Sequence, residues 1–176
     1  MELLATHTVK TSDLGCHGNL FGGVLLSWAD LGAVGLVMRL CSEPRMLTLS
    51  IEDCFFLKTV QEGELVSMFA TPSQLGRTSL AVSIEAHSLN LHTLEEWVVF
   101  RTCMRFVCVD PVGRPIPISD PARARIAALM ERQPTALRSS HAPRPSSLHA
   151  PDPHHLTCAA SAVVLTNTEG LDGAGI

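Results

Sequence analysis

Apolar residues change their spacing twice along this chain, dividing it into one long helix, a succession of strands and a tail with neither period. Over residues 24–40, Leu25, Leu26, Trp28, Ala29, Leu31, Val34, Leu36, Val37, Met38 and Leu40 point in nearly every direction around a helix, the mark of a helix enclosed by protein. Gly32 and Gly35 lower its propensity but admit close backbone neighbours, and Pro44 follows where a helix has ended. Residues 46–57, 64–71, 78–88 and 97–109 then read as strands, parted by Gln61-Glu62-Gly63, Gln74-Leu75-Gly76 and a polar stretch at 90–96. A shorter β-leaning run at 2–10 precedes a loop at 11–18. Sequential strands joined by short turns favour an antiparallel sheet, and an enclosed helix early in the chain needs that sheet around it. The expectation is an α+β domain over residues 1–120, with one long helix held in a curved antiparallel sheet.

Beyond it, Asp110-Pro111-Val112-Gly113 is a turn, and Pro115 and Pro117 oppose a further regular strand. A short helix is expected over 121–133, with Asp120 as N-cap and Pro121 at the first helical position. Residues 134–176 hold Pro, Ser, His and Ala in no clear period and are expected to be a disordered or loosely attached tail, its short apolar patch at 158–165 notwithstanding.

Composition narrows the function. Hydrophobic residues make up 46% of the 176 and charged ones only 17%, which suggests surface buried against other copies, so a homo-oligomer is expected. The net charge of −4 and the lack of a basic run interleaved with aromatics exclude a nucleic-acid binder. The cysteines at 16, 41, 54, 103, 108 and 158 form no CxxC pair and read as reduced core thiols of a cytoplasmic protein. His141, His149, His154 and His155 have no carboxylate or thiol at metal-ligand spacing, so no metal is expected. The first residues, Met-Glu-Leu-Leu-Ala-Thr-His, do not form a secretion signal. Residues 20–41 would also span a bilayer by length, but Asp30 at their centre is costly in lipid, so a helix within the protein is expected and no membrane span.

Asp30 is also where the chemistry gathers. A carboxylate in an otherwise apolar helix costs several kcal/mol unless it is satisfied or useful. Two turns upstream, Phe21-Gly22-Gly23 stands just before the helix, where backbone N–H groups face outward without bulky side chains. The glycines serve either close packing or anion binding; a carboxylate plus backbone donors is what thioester cleavage requires.

The stretch Gly18-Asn19-Leu20-Phe21-Gly22-Gly23-Val24-Leu25-Leu26-Ser27-Trp28-Ala29-Asp30 resembles the helix-start motif of the YciA-like and cytosolic acyl-CoA hydrolases. The likeness continues through Leu47-Thr48-Leu49-Ser50-Ile51-Glu52, Phe56-Leu57-Lys58, Gly63-Glu64, Gly76-Arg77-Thr78-Ser79 and Phe106-Val107-Cys108-Val109-Asp110, and covers residues 2–118. It implies a hotdog fold, a homodimer assembling further to a tetramer or hexamer, and hydrolysis of acyl-CoA to a fatty acid and CoA without a cofactor, coenzyme A being part of the substrate. It also implies Asp30 as the catalytic acid, activating water or attacking the thioester directly, Gly22 and Gly23 as oxyanion donors, and Thr48 as a hydroxyl positioning water. His17, Asn19, Phe21, Phe56 and Lys58 fall at substrate-binding positions, and Gly76, Arg77, Thr78 and Ser79 at the turn that touches CoA. Relatives carry Asn or Asp where this chain has Gly15, with His17 or Asn19 nearby as substitutes. That departure motivates a second reading, a hotdog domain that binds acyl-CoA without turnover. The Asp13 and His17 pair motivates a third, a hotdog hydratase or dehydratase.

Overall fold

The structure, a computed structural model, describes residues 1–132. The apolar patch at 158–165, Cys158 and the histidines from 141 onward lie outside the described residues.

Five strands, β1 (Glu2–Thr8), β2 (Met46–Phe56), β3 (Leu65–Leu75), β4 (Ser79–Leu89) and β5 (Glu96–Cys108), form one antiparallel sheet in the order β1-β3-β4-β5-β2. Two helices accompany it, α1 (Gly22–Cys41) and α2 (Asp120–Glu131). The period-2 pattern sends Leu80, Val82, Ile84 and Ala86 of β4 and Met104 and Phe106 of β5 to the face that holds α1, all nearly without solvent contact. The opposite face is polar: Glu85 accepts from Arg101 Nε at 2.9 Å, and His87 stands 3.2 Å from Glu96.

Leu25, Ala29, Ala33, Leu36, Val37 and Leu40 of α1 are buried in the core. One side of α1 meets β1, where the Leu4 side chain lies so near Gly32 that a Cβ there would stand 3.0 Å from it, and where His7 stacks on Trp28 at 4.2 Å. The other side meets β2. The expected enclosure on all sides is corrected here. Gly23, Ser27, Leu31, Gly35 and Arg39 form a stripe at four-residue spacing that is exposed, Leu31 at 66%. The periodicity did not show this, because Leu31 and the two glycines interrupt what would otherwise be a plainly polar stripe, so that apolar residues still occur in nearly every direction around the helix.

β2 is open in the same way. It is an edge strand whose residues from Leu47 to Phe56 are nearly all exposed, including Leu49 at 60%. A bulge between Glu52 and Phe55 puts Asp53 at φ +50° and turns the end of the strand toward α1.

Smaller expectations also shift. The first strand ends at Thr8, and Gly22 and Gly23 are the first two helical residues of α1, with Phe21 the N-cap. Ser119, not Asp120, is the N-cap of α2, which places Asp120 and Pro121 inside its first turn. α2 sends Ala122 and Ile126 into the same core, so that core extends past residue 120. From α2, Arg125 donates to the Leu40 carbonyl at 2.7 Å, satisfying an orphan acceptor at the end of α1 with a cation at the negative end of its dipole, and to Ser42 Oγ at 2.9 Å. Arg123 donates to the Gly76 carbonyl and holds the β3–β4 hairpin.

Candidate active site

The motif residues divide between the start of α1 and its middle. At its start, Val24 N–H and Leu25 N–H both bond the Phe21 carbonyl, at 3.0 and 3.2 Å. The amides of Gly22 and Gly23 have no acceptor among the described residues, as the first turn of a helix dictates. Side chains crowd both glycines. A Cβ on Gly22 would stand 3.0 Å from the Phe56 ring, and one on Gly23 would stand 2.6 Å from the Phe21 ring. Close approach of these rings is why glycine is needed, and it leaves two N–H dipoles at an apolar surface, where an oxyanion is held most strongly.

Asp30 lies further along α1, half-buried on the side that faces β2, and Thr48 Oγ1 donates to its Oδ1 at 2.7 Å. The other oxygen, Oδ2, has no partner among the described residues. The structure thus brings Asp30 and Thr48 together, and separately Gly22, Gly23, Phe21 and Phe56. It does not bring the two groups together within one chain. At a rise of 1.5 Å per residue the glycine amides and Asp30 are roughly 11 Å apart along the axis, and the amides point away from the carboxylate.

Upstream, Gly15 N–H bonds the Asn19 carbonyl at 2.8 Å and Gly18 N–H bonds the Gly15 carbonyl at 3.0 Å, closing a tight loop with Gly18 at φ +74°. Phe21 N–H bonds the Asp13 carbonyl at 2.9 Å and anchors that loop to the start of α1. His17 is exposed at the loop tip. Asp13 is not its partner; the Asp13 carboxylate accepts from Lys10 N–H at 2.9 Å, so the pair that motivated a hydratase is not formed. Asn19 Oδ1 accepts from Gln61 Nε2 at 2.6 Å, which leaves its own NH₂ free to donate. Gln61 was missed because it sits in what reads as an ordinary Gln-Glu-Gly turn.

The Gly76–Ser79 turn is at the Thr48 end of the sheet, since Thr48 pairs with Phe106 and Phe106 with Leu80. Gly76 N–H bonds the Ser79 carbonyl at 2.8 Å, Thr78 accepts from Cys108 N–H at 2.8 Å, and the Arg77 side chain is exposed. Lys58 follows Phe56 at the other end, with its Nζ 3.1 Å from the centroid of the Trp97 ring. Trp97 was also missed; an aromatic at the start of a strand carries no signal of its own.

No group of three or more metal-ligating side chains exists among the described residues. The thiols are not all in the core. Cys41 and Cys108 are buried, and burial pushes Cys41 up to about 11, but Cys16 and Cys54 are exposed. All five described cysteines are free.

A family model described as the thioesterase superfamily matches residues 17–95, which take in His17, α1 and Thr48. The chain is 34% identical over 107 residues to a protein of Buchnera aphidicola subsp. Baizongia pistaciae named as an uncharacterized acyl-CoA thioester hydrolase, covering 59% of this chain and 78% of that one. It is 29% identical over 117 residues to the acyl-CoA thioester hydrolase YciA of Escherichia coli K12, covering 65% of this chain and 88% of YciA. Among solved structures, a hexameric hotdog fold thioesterase of Campylobacter jejuni superposes with a TM-score of 0.67 at 25% identity, covering 72% of this chain and 97% of that one. A hexameric broad specificity acyl-coenzyme A thioesterase gives 0.68 at 25% identity, over 75% of this chain and 93% of that one.

Proposed function

This chain belongs to the thioesterase superfamily, as an acyl-CoA thioester hydrolase of hotdog fold, and from that premise we propose how its own residues cleave the thioester. The reading rests above all on the hydrogen bond from Thr48 to Asp30. Thr48 holds Oδ1, and Oδ2 is left to take a proton from water as the water oxygen attacks the carbonyl carbon. The Gly22 and Gly23 amides hold the developing oxyanion. Collapse breaks the C–S bond, the CoA thiolate recovers the proton from Asp30, and a free fatty acid remains. Direct attack by Asp30 would instead expel the CoA thiolate and give an acyl-aspartyl anhydride, which water then hydrolyses to the fatty acid and the Asp30 carboxylate, its released proton going to the thiolate.

The separation along α1 requires the two groups to come from different copies. Attack geometry holds reacting atoms roughly 3–3.5 Å apart, too short to bridge two helical turns. The open edge of β2 supplies the means. In a two-fold pairing of this strand with itself, each end meets the opposite end of the other copy. Thr48 and Asp30 of one copy then face the Phe56 and Gly22 end of the second, and the exposed stripe of α1 is covered. A homodimer is therefore the smallest active unit, and the hexameric relatives support assembly of such dimers into a hexamer. Arg77, at the Thr48 end, is placed to meet a phosphate of CoA. No cofactor enters these steps, and the free thiols fit a cytoplasmic location.

Thiol release measured across acyl-CoAs from acetyl to palmitoyl tests the reading. Release is expected with at least one chain length; calorimetric binding without release from any of them would favour a non-catalytic binder.

Gly15 bears on how fast the reaction runs. A Cβ on it would have the Phe21 side chain as its nearest neighbour at 3.6 Å and the Asn19 carbonyl at 3.8 Å, ordinary contact distances that leave room for a side chain to begin there. Gly15→Asn is expected to raise kcat by about 2–10-fold, the value of one added hydrogen bond. Gly15→Ala fills the same space without a donor and is the control. An equal gain from Ala would show the effect to be loop stiffening and not a polar contact.

A further inference from the structure

We propose that Trp97 and Lys58 form a seat for the adenine nucleotide of CoA, separate from the Arg77 turn, in an inference that rests on the acyl-CoA reading above. Lys58 Nζ lies 3.1 Å from the Trp97 ring centroid, and Lys58 has no carboxylate partner among the described residues. Trp97 is 48% exposed. An exposed ring and an unpaired ammonium are the two elements a nucleotide needs, one face to stack a base and one cation for a phosphate. A surface lysine in water gains little from an aromatic face alone, and it gains more from a phosphate brought beside the same ring.

The position is fixed by the sheet. Leu57 N–H bonds the Val99 carbonyl at 2.8 Å, so Lys58, one residue after Leu57, and Trp97, two residues before Val99, are held near each other where β2 ends and β5 begins. Phe56, two residues before Lys58, lies on Gly22 at the start of α1 and pairs with Phe100 at 5.1 Å. The seat therefore borders the amides that hold the oxyanion, while Arg77 borders Thr48 at the opposite end of the same sheet. Because one reaction centre takes Asp30 and Thr48 from one copy and the amides from the other, the Arg77 turn of the first copy and the Lys58–Trp97 pair of the second both flank it. The Glu96 carboxylate beside Trp97 is drawn to His87 Nδ1 at 3.2 Å, which reduces its repulsion of a phosphate.

The test compares acyl-CoA with the matching acyl-pantetheine, which has the same thioester and arm but no nucleotide. In the full chain, Trp97→Leu is expected to lower the preference in kcat/KM for acyl-CoA over acyl-pantetheine about tenfold, as loss of one base–aromatic stack does, through KM and not kcat. Lys58→Met should lower the same preference, with a weaker dependence of KM on salt. Coenzyme A should quench the tryptophan fluorescence of the wild type but not of Trp97→Leu, and pantetheine should quench neither. This binding readout needs no turnover, so an enzyme inactive on every thioester yet quenched through Trp97 would overturn the hydrolase reading and support the seat. Equal losses on acyl-CoA and acyl-pantetheine, or an unchanged preference in both variants, would overturn the seat while leaving hydrolysis standing.

Discussion

Asp30→Asn is expected to lower kcat for acyl-CoA hydrolysis by about 10³-fold, within the range for loss of a positioned general base, and to leave the oligomer intact. The substitution is close to isosteric, and its consequences separate cleanly. The Thr48 hydroxyl, which donates to Oδ1 at 2.7 Å, finds the same acceptor on the carboxamide oxygen, so the contact between α1 and β2 is preserved. What is lost is the second oxygen as a base or nucleophile, because a carboxamide nitrogen takes no proton from water at neutral pH. KM for acyl-CoA should move little, since Asp30 contacts the attacking water and not the CoA. Thr48→Val removes the donor and leaves the carboxylate free to turn, at a cost of about 10-fold in kcat, the lower value for a hydrogen bond to a charged group. Steady-state thiol release beside light scattering checks both. Wild-type kcat in Asp30→Asn, with the oligomer unchanged, would make the carboxylate a structural group.

Much of this was legible in the sequence. The strand pattern from residue 46 to 109 stands within a few residues of the observed bounds, because β-leaning runs are parted there by turn residues that end a strand wherever it lies in the sheet. Asp30 stood out because α1 is otherwise apolar around it. What escaped are contacts between residues far apart in the chain. Gln61 bonding Asn19 and Lys58 beside Trp97 depend on which strand ends lie side by side, and no local period encodes that. The exposed stripe of α1 escaped for a different reason. Gly23, Ser27, Leu31, Gly35 and Arg39 are mixed in polarity, as a surface shared with another chain can be, and within one chain they read as part of an enclosed helix.

The proposed sharing of the site between copies leads to the sharpest test of the mechanism, complementation between two inactive variants. Gly22→Pro is suited to removing one oxyanion donor without unfolding α1. Gly22 is the first helical residue, where proline is favoured and the missing N–H breaks no helical bond. Phe21 before it has φ −69° and ψ 127°, the extended backbone that a following proline demands. The added ring meets the outer carbons of the Phe56 ring, the nearest 3.0 Å from where a Cβ would stand, so a shift of a few tenths of an ångström at the end of that side chain admits it. Alone, Gly22→Pro should lower kcat by about 10²–10³-fold. Unfolded and refolded together, Gly22→Pro and Asp30→Asn form mixed dimers in which one reaction centre carries both lesions and the other carries neither. Since half of a statistical mixture is mixed dimers with one intact centre of two, thiol release should recover to about one quarter of the wild-type value. If Asp30 instead worked with the amides of its own chain, every centre in the mixed dimer would carry one lesion and nothing would recover. A mixture as inactive as its components, with mixed dimers demonstrated by differential tagging, would therefore refute a site shared between copies.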